Sequence, residues 1–173
     1  MRFNQRFLRK LFIRGKIGYT IDLIDIKMSA PFPCSPYVTH HELVYFPRMI
    51  DKIRLHASGK LGEDYIPNLG KAFDLRCCLL LEVDYEELVA VVRSGVSDAE
   101  VWNWVGRHGK APSAEQVEIW NGFMTKRGWR DEATSTLLRR LKEGGFEKRT
   151  DIQTLFDYID LDEGRPLKAN LES

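Results

Sequence analysis

The sequence predicts an all-α protein: a single compact domain of six or seven short helices behind an irregular, proline-containing lead-in. Three observations carry this. Helix start and stop signals recur at short, regular intervals, and the residues between them repeat with helical period. No Asp-Gly occurs, and the single Asn-Gly pair, Asn121-Gly122, lies inside the helical-period run "AEQVEIWNGFMTKR", so no hairpin signal appears. A chain of 173 residues gives one domain a real core and would crowd two.

The elements follow in order. Residues 29–39 contain Pro31, Pro33 and Pro36 and read as an extended lead-in. A helix starts near Pro47, where a missing N–H costs nothing. Its apolar stripe is Phe46, Met49, Ile50, Ile53 and Ala57, and Gly59 supplies a left-handed stop. "AFDLRCCLLLEV" is rich in Leu and Cys and poor in β-branched residues, so it reads as a buried helix. Asp84 to Glu87, Ser97 to Glu100, Ser113 to Gln116 and Thr150 to Gln153 read as capping boxes, in which the first side chain and the Glu or Gln satisfy each other's backbone N–H. The first three open helices closed by Gly95, Gly109 and Gly128; the fourth opens "DIQTLFDYIDL". Between the last two, Ala133, Leu137, Leu138 and Leu141 form one stripe ending at Gly144-Gly145. The helical domain is bounded at 29–162, and the polar tail 163–173 is expected to fray.

The net charge of +1 is unevenly spread. Residues 1–28 carry seven Lys/Arg and two Asp, leaving a body of net −4. That body has little electrostatic reason to bind nucleic acid. The segment 1–28 reads as an extension outside the fold, arising if translation begins at Met1 rather than Met28. Its amphipathic stretch 1–16 is the one membrane-binding candidate. No apolar run is long enough to cross a bilayer. Three cysteines, Cys34, Cys77 and Cys78, with two adjacent, make a poor disulfide framework and point to a reducing, cytoplasmic setting.

No motif names a reaction. There is no C-x-x-C, H-E-x-x-H or EF-hand loop; a site built from Cys34, His40 or His41, and His56 is geometrically conceivable, but loop histidines are the simpler reading. Neither a metal nor a cofactor is expected. Cys77 and Cys78 lie in an apolar run, where a thiol packs as a small hydrophobe. "ASGKLGED" follows a helix rather than a strand, against a phosphate loop, and the pair 98–108 and 114–126 is joined by a connection too long for a helix-turn-helix. Trp102 and Trp104 stand about 200° apart on a helical wheel, so Trp104 falls at the margin of the core stripe. It is the candidate for a protein partner or self-association surface.

The remaining candidate is "FPRMIDKIRLHASGKLGEDY". With the apolar stripe inward, Arg48, Asp51, Lys52 and Ser58 share the opposite, solvent-facing side. Arg48, Asp51 and Arg54 at i, i+3 spacing can form a surface ladder worth tenths of a kcal/mol. If the loop from Lys60 to Tyr65 folds back over this face, Arg48, Lys52, Lys60 and Tyr65 converge as donors for a small anionic or polar ligand, with Asp51 orienting them. The same stretch resembles a bacterial family known as domain of unknown function 5069. That family shares a Leu-Pro-Arg-x-Ile-Asp-Lys-like helix, Gly-x-Leu-Gly-Glu-Tyr-like residues, and segments like "YEELVAVVRSG" and "SGVSDAEVWNWV". The likeness spans about residues 34–145 and continues to 162. Pro47, Arg48, Asp51, Lys52, Gly62, Glu63 and Tyr65 match its pattern, and Asp64 is an extra residue between Glu63 and Tyr65. The resemblance implies a small, soluble, intracellular bacterial protein and transfers no activity.

Overall fold

The computed structural model describes residues 31–167. The 1–28 extension, with its amphipathic stretch, and the end of the tail lie outside the described residues. Within them the chain is all-α, as expected: α1 (Phe46–Ala57), a 3-10 helix (Glu63–Asn68), α2 (Phe73–Leu81), α3 (Tyr85–Arg93), α4 (Asp98–His108), α5 (Ala114–Lys126), α6 (Thr134–Glu143) and α7 (Leu155–Asp162). No helix among the described residues is long and apolar enough to cross a membrane.

One small ladder departs from the all-helical expectation. β1 (Thr39–His40) and β2 (Leu43–Val44) pair antiparallel, Thr39 with Val44 and His40 with Leu43. The linking residues His41 and Glu42 have φ of 48° and 62°. Both positive values are what a tight two-residue hairpin turn demands, normally of Asn and Gly. Tertiary contacts supply what local preference lacks. His41 stacks on Trp102 at 4.8 Å, Trp102 meets Phe46 edge-on at 5.3 Å, and α5 captures the backbone of β2 through Asn121 and Trp120, each at 3.1 Å from a Val44 backbone atom.

Helix α1 is the centre of the molecule and packs on α3 and β1. Phe46, Met49, Ile50 and Ile53 are buried as the stripe predicts, whereas Ala57 is exposed past the point where the core ends. Helix α2 buries Cys77, Cys78 and Leu81 but leaves Leu75 and Leu79 in solvent, so this apolar run covers the core with one side only. The Ser97/Glu100 and Ser113/Gln116 boxes form in full; Asp84 takes the N–H groups of Glu86 and Glu87 without a return bond from Glu87. Gly109 is not a left-handed stop, its φ being −134°. It is required by close approach, because a Cβ there would stand 2.3 Å from the Leu81 carbonyl oxygen.

The last helix starts four residues later than the Thr150 box predicts. Thr154 is its cap, in a reciprocal box with Asp157. The start is fixed from outside: Leu155 N–H donates to the Arg127 carbonyl at 2.8 Å, and the Tyr37 hydroxyl donates to Asp157 at 2.6 Å. The expectation of a frayed tail from residue 163 also fails over its described part. Glu163 and Leu167 are buried, Leu167 with Leu137, Leu141 and Ile152 in a second small core under α6 and α7. The main core gathers α1 to α5 and β2, and takes Phe156 from α7. A cleft lies between the two.

Candidate functional site

The cleft has a volume of about 480 Å³. On one side it is lined by Arg48 and Lys52 of α1, Tyr65 of the 3-10 helix and Phe73 of α2; on the other by Arg140 of α6 and by Leu155, Tyr158, Ile159 and Asp162 of α7. Those four α7 residues fall at i, i+3, i+4 and i+7, so one face of that helix forms a wall.

The floor belongs to Lys52. Its ammonium donates to Asp74 Oδ1 at 2.5 Å and to the Tyr45 hydroxyl at 3.1 Å, and that hydroxyl donates to the same carboxylate oxygen at 2.9 Å. Asp74 is fully buried and takes a further bond from the Gly70 N–H at 3.1 Å. Lys52 therefore has two of its three ammonium protons committed among the described residues, and the third is left at a side chain that lines the cleft. Burial pushes the Lys52 amine down from its ordinary value, and the charge of Asp74 opposes this without cancelling it. Burial, followed by the Asp74 charge, pushes the Tyr45 phenol well up.

Beside it, Arg48 engages the carboxylate of Glu163 with both terminal nitrogens, one of them at 3.0 Å, and also donates to the Cys34 carbonyl at 2.6 Å. The Tyr65 hydroxyl donates to the same carboxylate, and Arg165 reaches it from the far side. Burial works against the Arg48 charge, but the Glu163 hydrogen bond and charge outweigh it and hold the guanidinium above its ordinary value. Burial likewise raises the Glu163 carboxyl, and Arg48, Tyr65 and Arg165 together bring it below its ordinary value. Arg165 and Ser35 hold Asp160 at 3.2 and 2.7 Å, so lead-in, loop and C-terminal segment meet over α1.

The helix face expected to be solvent-exposed is thus covered. Arg48 is 3% and Lys52 5% exposed, and neither i, i+3 pair of the expected ladder forms. Arg54 pairs instead with Asp98 at 2.6 Å. Of the five predicted site residues, Arg48, Lys52 and Tyr65 come together. Asp51 does not orient them; its carboxylate takes the Cys34 N–H at 2.8 Å and ties down the lead-in. Lys60 is exposed just past the end of α1, its backbone N–H bonded to the Leu55 carbonyl at 2.8 Å, and it does not line the cleft. Asp74, Glu163, Tyr45 and Arg76 were missed. Asp74 and Tyr45 sit in runs that read as plain helix and lead-in, and Glu163 in a segment that reads as tail.

Arg76 carries no ion pair among the described residues and stands over the Phe123 ring at 5.4 Å. Arg127 stands over the same ring at 5.2 Å but is neutralised by Asp131 and Glu132. Trp104 is half-buried at the margin of the core and stacked on the exposed His108 at 4.9 Å. No three His, Cys, Asp or Glu side chains gather as a metal site among the described residues.

No curated protein matches the sequence. Residues 30–165 match the model of a family described as a domain of unknown function, DUF5069, and the chain belongs to that family.

Proposed function

We propose that this protein binds, or acts on, a small anionic or polar ligand in the cleft between α1, the 3-10 helix and α2 on one side and α6 and α7 on the other. The observation that carries this reading is Lys52, a buried ammonium at the cleft floor with one proton uncommitted among the described residues. Burying a charge costs several kcal/mol even when it is paired, and clefts that contain such groups are the usual places where ligands are recognised. Arg76, a guanidinium with no ion pair among the described residues and held against Phe123, adds a second donor set on the wall. A bacterial, cytoplasmic setting goes with this reading, supported by three unbridged cysteines. The rival reading, an interaction module using the Trp104 surface, has weaker support because Trp104 is packed against His108.

The test is a thermal-shift screen against small carboxylates and phosphates, repeated on Arg76→Gln. A ligand at a hundred times its Kd stabilises the native state by about 2.7 kcal/mol. Arg76 is exposed, so its substitution should leave basal stability within about 0.5 kcal/mol while reducing the ligand-dependent shift. A library without a stabilising compound, or a shift indifferent to Arg76→Gln, would defeat the proposal.

A further inference from the structure

The cleft is not uniformly basic, and most of its cations are paired within the protein, while Lys71 is held by the Pro67 carbonyl at 3.0 Å. Six basic side chains line it, but Arg48, Lys52, Arg127 and Arg140 each have a carboxylate partner within the protein. Among the described residues the lining charges without an ion pair are Lys71 and Arg76, positive, and Asp64 and Asp162, negative.

Helix α7 orders these charges. At its first residue, Leu155 N–H is bonded to the Arg127 carbonyl, and Arg127 shares the Phe123 ring with Arg76. The N-terminal end of the wall is therefore the Arg76 end. At its last residue stands Asp162, whose neighbour Glu163 holds Tyr65, the residue next to Asp64. The C-terminal end of the wall is the acidic end. Burial, then the charge of Glu163, raises the Asp162 carboxyl; the Tyr158 hydroxyl and Arg140 oppose this without cancelling it, and Asp64 adds to the rise. Leu155 to Asp162 is seven helical steps, about 10 Å. Between the two ends the wall is Leu155, Tyr158 and Ile159, faced by Phe73.

We infer that the ligand of this cleft is bipolar: a molecule with an anionic group for Arg76 at one end, an ammonium group for Asp162 and Asp64 at the other, and a mainly apolar spacer lying along α7. This rests on the cleft being a ligand site, as proposed above, and narrows the ligand class. An α-amino acid, with adjacent charges, is too short to use both ends. An ω-amino acid or a short peptide with free termini has the right span, since extended chain covers about 3.3–3.6 Å per residue.

The probes are 6-aminohexanoate, hexanoate and hexylamine, titrated into the 15N-labelled full-length protein and followed by NMR shifts of α7 and α2 amides. Each charge-assisted contact is worth enough for roughly a tenfold change in affinity. The expected result is 6-aminohexanoate binding about tenfold more tightly than either single-ended probe. Asp162→Asn should remove its advantage over hexanoate, and Arg76→Gln its advantage over hexylamine. Both residues are exposed, so both variants should fold. Hexanoate and 6-aminohexanoate binding equally, with Arg76→Gln weakening both, would overturn the bipolar inference while upholding an anion site. Shifts elsewhere than α7 and α2, or no binding by any probe at about 100 mM, roughly tenfold above the Kd that two tenfold contacts give, would overturn it as well. The library screen then decides the broader reading separately.

Discussion

Lys52 and Asp74 put two full charges where almost no water reaches, and neither tolerates loss of the other. Replacing Lys52 with Met strands a fully buried carboxylate, leaving it only the Tyr45 hydroxyl and the Gly70 N–H. Urea unfolding should show Lys52→Met losing about 3–5 kcal/mol, with most of that returning when Asp74→Leu is added. A loss below about 1 kcal/mol in the single variant would mean the pair is not insulated as its burial implies. Glu163 gives a pH dependence whose sign can be stated. Its carboxyl titrates lower in the native state than its ordinary 4.5, so between the two values the unfolded chain binds the extra proton. The stabilisation is complete above about pH 4.5 and is lost as pH falls through the native value. Neighbouring Asp160 and Asp162 are both raised, chiefly by burial, and act in the opposite direction. The informative measurement is therefore the difference between wild type and Glu163→Gln. The wild type should lose stability more steeply below pH 4.5, and parallel acid limbs would contradict the assignment.

Among the elements, the ones legible in the sequence are those whose ends are set by adjacent residues. Ser97 with Glu100 and Ser113 with Gln116 lie within one turn of each other, so their pattern is complete locally. The β1–β2 turn was illegible because its positive-φ positions are filled by His41 and Glu42 and supported by Trp102 and α5, up to some eighty residues away. Helix α7 is the same problem in reverse, since Thr150 offers a complete cap by pattern and the helix nevertheless starts after Thr154. The choice is made by Arg127 and Tyr37, distant in sequence. It can be tested by exchanging the two threonines in turn. Thr154→Ala should cost about 1 kcal/mol as an N-cap loss, with its burial pushing the value upward. Thr150→Ala, at an exposed bend, should stay within about 0.5 kcal/mol. Equal effects in a denaturant titration would return the helix start to Thr150.

Across the whole molecule, half of the site was hidden for a single reason: its charges are paired over long separations. Arg48 and Lys52 were visible as residues, and their spacing along α1 read as an exposed ladder. Their partners stand 115 and 22 positions away, and the lid residue Tyr65 meets Glu163 across 98. Periodicity reports which face of a helix is apolar; it does not report that a polar face will be roofed by another segment. The roof here is the segment after α7, and its removal makes the strongest whole-chain prediction. A chain ending at Asp162 lacks Glu163, Arg165 and Leu167, which leaves Arg48 buried without a carboxylate and opens the smaller core. Its unfolding free energy should fall by about 3–5 kcal/mol from the stranded charge alone. Arg48→Met then separates charge from packing, because its sign depends on the background. In the full chain it takes from Glu163 its buried two-pronged partner, leaving Arg165 and the Tyr65 hydroxyl, and destabilises. In the shortened chain it removes an uncompensated cation and should restore about 1–4 kcal/mol. The same sign in both backgrounds would show that the segment after α7 contributes through its apolar contacts and not by neutralising the α1 face.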